Sequence, residues 1–204
     1  MTLWTIQPEE VYQQIQKTGI YRCDFKKAQM TDLREQYEWL VQEMKARIGE
    51  PPEGVFYPVW AWYMWEGARK KPDLRRARWR NGWKGDRFVC MEIEIPDDRV
   101  VLSDFDVWSI ILLDGLIADS EEEVKRLEME YDSLTQEDKQ EYKAQNWKTV
   151  FDLNYVDNGW IHRGDSIQAT FWELGKEEIK SVRFFTAATP KPAYLEGMED
   201  GRSD

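Results

Sequence analysis

Glu173 is the carboxylate whose place in the sequence most favours chemistry. Residues 167–174 alternate as a strand does, and the face that carries Ala169 and Phe171 ends in Glu173. In a cleft lined by tryptophan, such an acid can hold a ribose hydroxyl or stabilise a developing cation. The alternative interpretation is a strand-end carboxylate that stays in water or pairs with an arginine of residues 75–80.

Hydroxyl and amide side chains supply further candidates on three segments. An early segment, LWTIQ, carries Thr5 and Gln7, and the aromatic segment that follows the second helix carries Tyr57 and Tyr63. The late strand carries Gln168 on the face opposite to that of Glu173. These residues point to a site assembled from several strands.

The stretch WAWYMWEGARKKPDLRRARWRNGW, residues 60–83, concentrates indole and guanidinium groups. It holds five of the eleven tryptophans. Its first half is almost continuously apolar, which predicts that Trp60 and Trp62 pack in a sheet. Its second half alternates indole with arginine, which predicts that Trp79 and Trp83 lie at the surface as stacking platforms. Arg76, Arg78 and Arg80 are the cations expected beside those platforms.

Charge is unevenly distributed along a chain whose net charge is −11. Residues 69–87 contain nine basic residues against two acids, whereas residues 119–141 contain ten acids against three basic residues. The overall charge excludes general affinity for duplex nucleic acid. The two segments either face each other or stay solvated, or the basic one forms a rim around a phosphate-bearing ligand.

Several classes of site are excluded by residues that the chain lacks or holds only once. The one histidine, His162, stands without a visible partner and is interpreted as structural, and Cys23 and Cys90 match no metal or redox spacing. These residues predict no metal site, and because no glycine-rich loop follows a strand, we also predict no tightly bound cofactor. No segment resembles a signal peptide or a membrane span, which predicts a cytoplasmic protein.

The elements that must position these residues predict an α+β fold with a split, mostly antiparallel sheet. Helices are expected from Pro8 to Gly19, over residues 33–48 and after Asp104 or Asp106, with two acidic helices inserted at 119–147. Residues 70–86 are too basic and too interrupted to form a core element. Residues 1–188 are expected to form a single domain and 189–204 a disordered acidic tail. Strands are expected at 3–7, 55–65, 88–95, 100–102, 149–153, 167–174 and 179–185. For 55–65 a strand that breaks near Glu66 is favoured over a helix that begins at Pro58.

Four motifs carry a resemblance that spans most of the chain. LWTIQ, YPVWAW, EIEIPDDRVVLSDFDVW and IQATFWEL, in that order, resemble an uncharacterised bacterial family known as a domain of unknown function. That resemblance implies a shared fold and no activity.

The order of elements also resembles the ADP-ribosyltransferase superfamily, which acts on NAD. That resemblance implies that Glu173 holds the ribose and that Tyr57 or Tyr63 is the middle-strand residue. The first-strand position falls on Thr5, where the superfamily has arginine or histidine. NAD would then be a substrate rather than a bound cofactor, contacted by Thr5, Trp62, Arg76, Arg78, Arg80, Trp83 and Gln168.

Two other functions are consistent with the same residues. The first is a non-enzymatic binding module in which Trp83 and the arginines bind a protein, single-stranded nucleic acid or small anion. The second is a structural role in which the basic segment pairs with the acidic helices. The sequence indicates neither the acceptor nor the oligomeric state.

Overall fold

The computed structural model describes residues 1–23, 33–154, 159–161 and 163–192. His162 and residues 193–204 of the predicted tail therefore lie outside the described residues. Thr189, which was assigned to the tail, is described, and its hydroxyl donates a 2.8 Å hydrogen bond to the carbonyl of Trp79.

The fold is built on a six-stranded antiparallel sheet with the strand order β5-β6-β3-β1-β4-β8. A second sheet of two strands pairs β2 with β7. The strands are β1 (Thr2–Pro8), β2 (Ile20–Arg22), β3 (Val59–Met64), β4 (Arg87–Glu94), β5 (Val101–Asp104), β6 (Ile167–Phe171), β7 (Glu173–Gly175) and β8 (Ile179–Thr186).

Helices flank the sheet, and their ends follow ordinary capping chemistry. Gly19 ends the first helix in the left-handed conformation, and the side chains of Ser120 and Thr135 accept hydrogen bonds that begin the two acidic helices. The helices are α1 (Glu9–Thr18), α2 (Arg34–Ile48), α3 (Leu74–Ala77), α4 (Phe105–Leu112), α5 (Glu121–Asp132) and α6 (Gln136–Trp147).

Two apolar cores lie on the two faces of the large sheet, as the period-two alternation of its strands requires. One contains Leu3, Met91 and Phe171 and is covered by Val11 and Ile15 of α1. The other is aromatic and lies beneath α2, α4 and the end of α6. Its members include Tyr37, Leu40, Met44, Val107, Trp108, Ile111 and Trp147.

The predicted α+β fold with a split antiparallel sheet is confirmed, and so are the two acidic helices within 119–147. Two local predictions were wrong. Residues 149–153 were expected to form a strand but lie mostly in a 3-10 helix, Lys148–Phe151, whose Val150 is fully buried. The strand expected over 167–174 ends at Phe171. Residues 70–86 contain a short helix, α3, and contribute no residue to either apolar core, as predicted.

The interruption at Trp172 changes the place of Glu173. The indole of Trp172 is buried in the aromatic core, where its Nε1 donates a 3.0 Å hydrogen bond to the carbonyl of Gly49. The chain then leaves the large sheet, and β7 pairs with β2 instead. Glu173 consequently does not continue the face that Ala169 and Phe171 form.

None of the described helices is long and apolar enough to cross a membrane.

Candidate ligand-binding cleft

A cleft of about 290 Å³ opens on the large sheet where β1 and β3 separate. The two strands pair at a single register position, Trp4 opposite Trp62, whereas β1 pairs with β4 along its whole length. Ile6 and Gln7 line one side of the opening and Trp60 and Ala61 the other. The cleft therefore begins where β1 stops pairing with β3.

Aromatic rings form the apolar wall of the cleft. Trp62 meets Trp65 edge-on with ring centroids 4.5 Å apart, and it meets Phe105 in a similar arrangement at 5.2 Å. Trp62 and Trp65 are each only partly buried, so each keeps indole surface uncovered. Such surfaces bind planar rings well, because aromatic contacts add to simple area burial.

Two buried polar atoms in this wall lack hydrogen-bond partners within the described part of the chain. They are Oε1 of Gln168, an acceptor, and Nε1 of Trp65, a donor. An unpaired buried polar atom costs about 1–3 kcal/mol, and native proteins leave few of them. Both atoms belong to residues that line the cleft, but they have almost no solvent-accessible surface, so a ligand reaches them only if neighbouring side chains shift.

Behind the cleft, a short chain of hydrogen bonds holds Gln7 in place. Gln7 Nε2 donates to the hydroxyl of Thr5 at 2.9 Å, and that hydroxyl donates to the carbonyl of Trp60 at 2.7 Å. Thr5 is fully buried and does not line the cleft. Its hydroxyl bridges β1 and β3 at their point of separation and so orients Gln7 at the rim.

A tight turn with unusual backbone geometry forms one edge of the cleft. Residues 65–68 make a two-residue hairpin turn, in which Trp65 and Ala68 exchange backbone hydrogen bonds. Both central residues, Glu66 and Gly67, have positive φ, at 48° and 71°. A glutamate in this region costs about 1–2 kcal/mol relative to its usual conformation, and such strain clusters at functional sites.

The carboxylate of Glu66 is held in position at that edge. It forms an ion pair with Arg76 and lies 3.9 Å from Lys70 Nζ. The cleft therefore has an oriented carboxylate at its mouth.

Next to the turn at residues 65–68, α3 and the turn that follows it line the cleft with Ala77, Arg80 and Asn81. Asp73 caps α3 through the backbone N–H of Arg75 and also pairs with its guanidinium, which lowers the pKa of Asp73 to about 2. This cap fixes the start of the segment that carries Arg80.

Arg80 provides the cation of the cleft. Its guanidinium lies 5.9 Å from the ring centroid of Trp65 and has no carboxylate partner among the described residues. By contrast, Arg76 is paired with Glu66, and Arg78 Nε donates to the carbonyl of Thr186. Arg80 is thus the arginine of this segment that is placed to meet an anionic ligand.

A family described as a domain of unknown function, DUF3841, matches residues 2–180. The chain belongs to that family. No curated protein and no solved structure gives a significant match. Every residue described above as lining the cleft lies within the matched range, so the cleft is part of the DUF3841 domain. The match does not bear on the likeness to ADP-ribosyltransferases, which stays a prediction.

The DUF3841 fold brings together three of the residues that were predicted to form a site. Trp62, Arg80 and Gln168 line the same cleft. The other residues predicted to bind the ligand lie outside its lining: Thr5 behind it, Arg76 at its edge, and Arg78 and Trp83 on the surface.

Glu173, Tyr57 and Tyr63 are not gathered with them. Glu173 lies opposite Arg22 in the two-stranded sheet, and its Oε2 is 2.9 Å from the Arg22 guanidinium. The guanidinium of Arg69 lies over the ring of Tyr63, with its Cζ atom 3.6 Å from the ring centroid. Tyr57 packs edge-on against Tyr37. This arrangement does not assemble the carboxylate and tyrosine that the ADP-ribosyltransferase resemblance implies.

Trp79 and Trp83 lie at the surface, as the composition of their segment predicted. Trp79 is 62% exposed and Trp83 36% exposed. Trp60 packs against Tyr37 and Trp108, as expected for an indole of the sheet.

The structural role proposed for the basic segment is not supported by the ion pairs of the described residues. Pairs from the basic segment run to Glu66, Asp73 and Glu9. Lys125 and Arg126 of the acidic helices pair with acids of their own helix. Where the chain is described, no group of three histidine, cysteine or acidic residues could hold a metal ion.

Sequence reasoning missed Trp65, Glu66 and Phe105 as neighbours in one site. The Glu66-Gly67 pair between apolar residues is a turn signal that could have indicated the hairpin. No sequence pattern indicates that Phe105, which begins α4, reaches the same cleft from a distant part of the chain.

Proposed function

We propose that this domain binds a nucleotide, with the base in the cleft and a phosphate at Arg80. The observation that carries the proposal is the pair of unpartnered buried atoms, Gln168 Oε1 and Trp65 Nε1, set in an aromatic wall. An acceptor and a donor in the lining of one cleft favour a ring edge that offers both a donor and an acceptor. Nucleobases and the carboxamide of nicotinamide have such edges.

The size of the cleft supports one ring system rather than a whole dinucleotide. At about 290 Å³ it lies at the small end of the range of roughly 300–1,000 Å³ that is typical of ligand sites. A base stacked on Trp62 or Trp65 would fill it, and the sugar and phosphate would extend toward the rim.

The charged groups at the rim support the same orientation. Arg80, which has no described carboxylate partner, offers a planar donor pair suited to phosphate. Glu66, which also lines the cleft, is an acceptor for sugar hydroxyls, and its pairing with Arg76 keeps it oriented.

Glycosyl transfer from NAD remains a hypothesis that rests on the resemblance alone, because Glu173 lies beside Arg22 and outside the cleft. We therefore favour binding without transfer chemistry at Glu173. The proposed setting is the bacterial cytoplasm, as the sequence predicts.

Titration of the intrinsic tryptophan fluorescence with AMP, UMP and NAD tests the proposal. At least one ligand should quench Trp62 or Trp65, and Gln168→Leu and Arg80→Gln should each weaken binding by about tenfold or more. The matching nucleoside should bind wild-type protein about as weakly as the nucleotide binds Arg80→Gln, because both lack the same charge pair.

Arg34→Gln is the matched control, since Arg34 is an exposed arginine on α2 that pairs with Glu38. Its affinity should equal that of wild type. Absence of binding by all three ligands at millimolar concentration would contradict the proposal, as would equal losses in Arg34→Gln and Arg80→Gln.

A further inference from the structure

The segment that walls the cleft also walls a second depression on its other side. Residues 74–81 present Ala77, Arg80 and Asn81 to the cleft. The same segment presents Leu74, Arg75 and Arg78 to a shallow hollow completed by Arg183, Phe184 and Phe185 of β8. We call these six residues the arginine hollow.

The arginine hollow combines three guanidinium groups with exposed aromatic surface. Arg183 has no carboxylate partner among the described residues, and Arg78 donates to a backbone carbonyl. Only Arg75 is neutralised locally, by Asp73. Of the two rings in the arginine hollow, Phe184 is 48% exposed and meets Tyr12 edge-on, and Phe185 stacks on Phe88.

This local composition is opposite to that of the whole chain, whose net charge is −11. Arginines without a carboxylate partner, close to aromatic rings, are typical of surfaces that bind single-stranded nucleic acid. The cations attract phosphates, and the rings stack bases without sequence preference. The rest of the protein surface is acidic, so it repels duplexes and restricts nucleic-acid binding to the arginine hollow.

The two depressions are close enough to serve one ligand. They share α3 and its following turn as a common wall, and a helix with its side chains is only about 10–12 Å thick. A strand of a few nucleotides spans that thickness.

We propose that the nucleotide in the cleft belongs to a single-stranded nucleic acid. Its neighbouring phosphates cross α3 and lie in the arginine hollow, against Arg78 and Arg183. This inference rests on the proposed function of the cleft and names the ligand class to which its nucleotide belongs.

Fluorescence anisotropy with labelled single-stranded oligonucleotides provides the test. Oligoadenylates and oligouridylates of increasing length, up to about eight nucleotides, fall in the range of known single-strand sites. Affinity should rise at least tenfold between mononucleotide and the longest strand. The association constant should fall as the salt concentration rises. On a log–log plot the slope should be about −0.7 for each phosphate contacted.

Substitutions on the two sides of the shared wall separate the two sites. Arg78→Gln/Arg183→Gln should lower the affinity for long strands about tenfold, reduce the salt dependence and leave mononucleotide binding unchanged. Arg183→Gln alone removes a side chain with no described hydrogen bond, so it reports on binding even if loss of the Arg78 contact disturbs the fold. Gln168→Leu should weaken binding of strands of every length.

Two results would overturn the inference while leaving the proposed function of the cleft intact: a mononucleotide that binds as tightly as the longest strand, or equal affinity for polyglutamate and oligonucleotide. Strand binding that needs Arg78 and Arg183 but is unaffected by Gln168→Leu, with no mononucleotide binding, would instead remove the cleft from both proposals.

Discussion

Gln168 lies directly opposite Trp62 in the antiparallel pairing of β6 with β3, and both side chains line the cleft. On the other side of β3, Trp4 is the register partner of Trp62. Side chains directly opposite each other on neighbouring strands have Cβ atoms about 4.5–5.5 Å apart. A planar ligand lying on Trp62 would therefore be adjacent to the side chain of Gln168.

The first prediction concerns the stability cost of that amide. Gln168→Leu replaces an unpartnered buried acceptor with an apolar group of similar size. Its free energy of unfolding should equal that of wild type or exceed it by about 1 kcal/mol, while ligand affinity falls. Urea unfolding of both proteins measures this difference. A loss of about 2 kcal/mol or more would mean that Gln168 serves the fold and not a ligand.

The second prediction contrasts two tryptophans of residues 60–83. Trp60→Ala should cost about 3–5 kcal/mol, because it removes packing against Tyr37 and Trp108 and opens a cavity. Trp83→Ala should change stability by less than about 1 kcal/mol, since Trp83 lies at the surface. Chemical denaturation of the two variants decides this. Equal destabilisation would show that Trp83 is part of a core.

Much of the fold was predictable because its elements are strongly periodic or clearly capped. The alternation of β4 and the helical spacing of α2 both matched the structure. The strand expected at 149–153 failed because a short apolar run has no period that separates a strand from a helical turn. Val150 and Phe151 pack in the aromatic core from a 3-10 helix instead.

The site was less predictable because it depends on how strands pair. Trp62 and Gln168 are far apart in sequence and became neighbours only through the order β6-β3-β1. The strand position of Glu173 was predicted wrongly for the same reason. The sequence alternation of residues 167–174 continues past Trp172. The pairing partner nevertheless changes there, from β3 to β2, and a local sequence pattern does not indicate which strand is the partner.

The third prediction tests whether Glu173 is a catalytic residue. Its carboxylate is paired with Arg22 at the edge of the small sheet, so Glu173→Gln should leave nucleotide affinity unchanged and alter stability by less than about 1 kcal/mol. Isothermal titration with NAD, together with an assay for nicotinamide release, measures both properties. Tyr63→Phe serves as a second variant of the implied catalytic set.

The ADP-ribosyltransferase hypothesis predicts the opposite outcome. Under that hypothesis wild-type protein releases nicotinamide, and Glu173→Gln abolishes the release while the protein stays folded. Such a result would place the chemistry at Glu173 and would show that the cleft near Trp62 is not the centre of the activity.

The last prediction concerns alkaline pH and two buried acids. Burial raises the pKa of the Cys90 thiol from 9.0 to about 11 and that of the Tyr37 phenol from 10.0 to about 12. Above about pH 9 the unfolded chain releases protons that the folded chain keeps, so stability falls as pH rises, by roughly 1.4 kcal/mol per pH unit for each group. Urea unfolding between about pH 8 and pH 10.5 should show this decline, with Cys90→Ala flattening its first part and Tyr37→Phe its later part. A decline that both variants retain in full would mean that other groups govern alkaline unfolding.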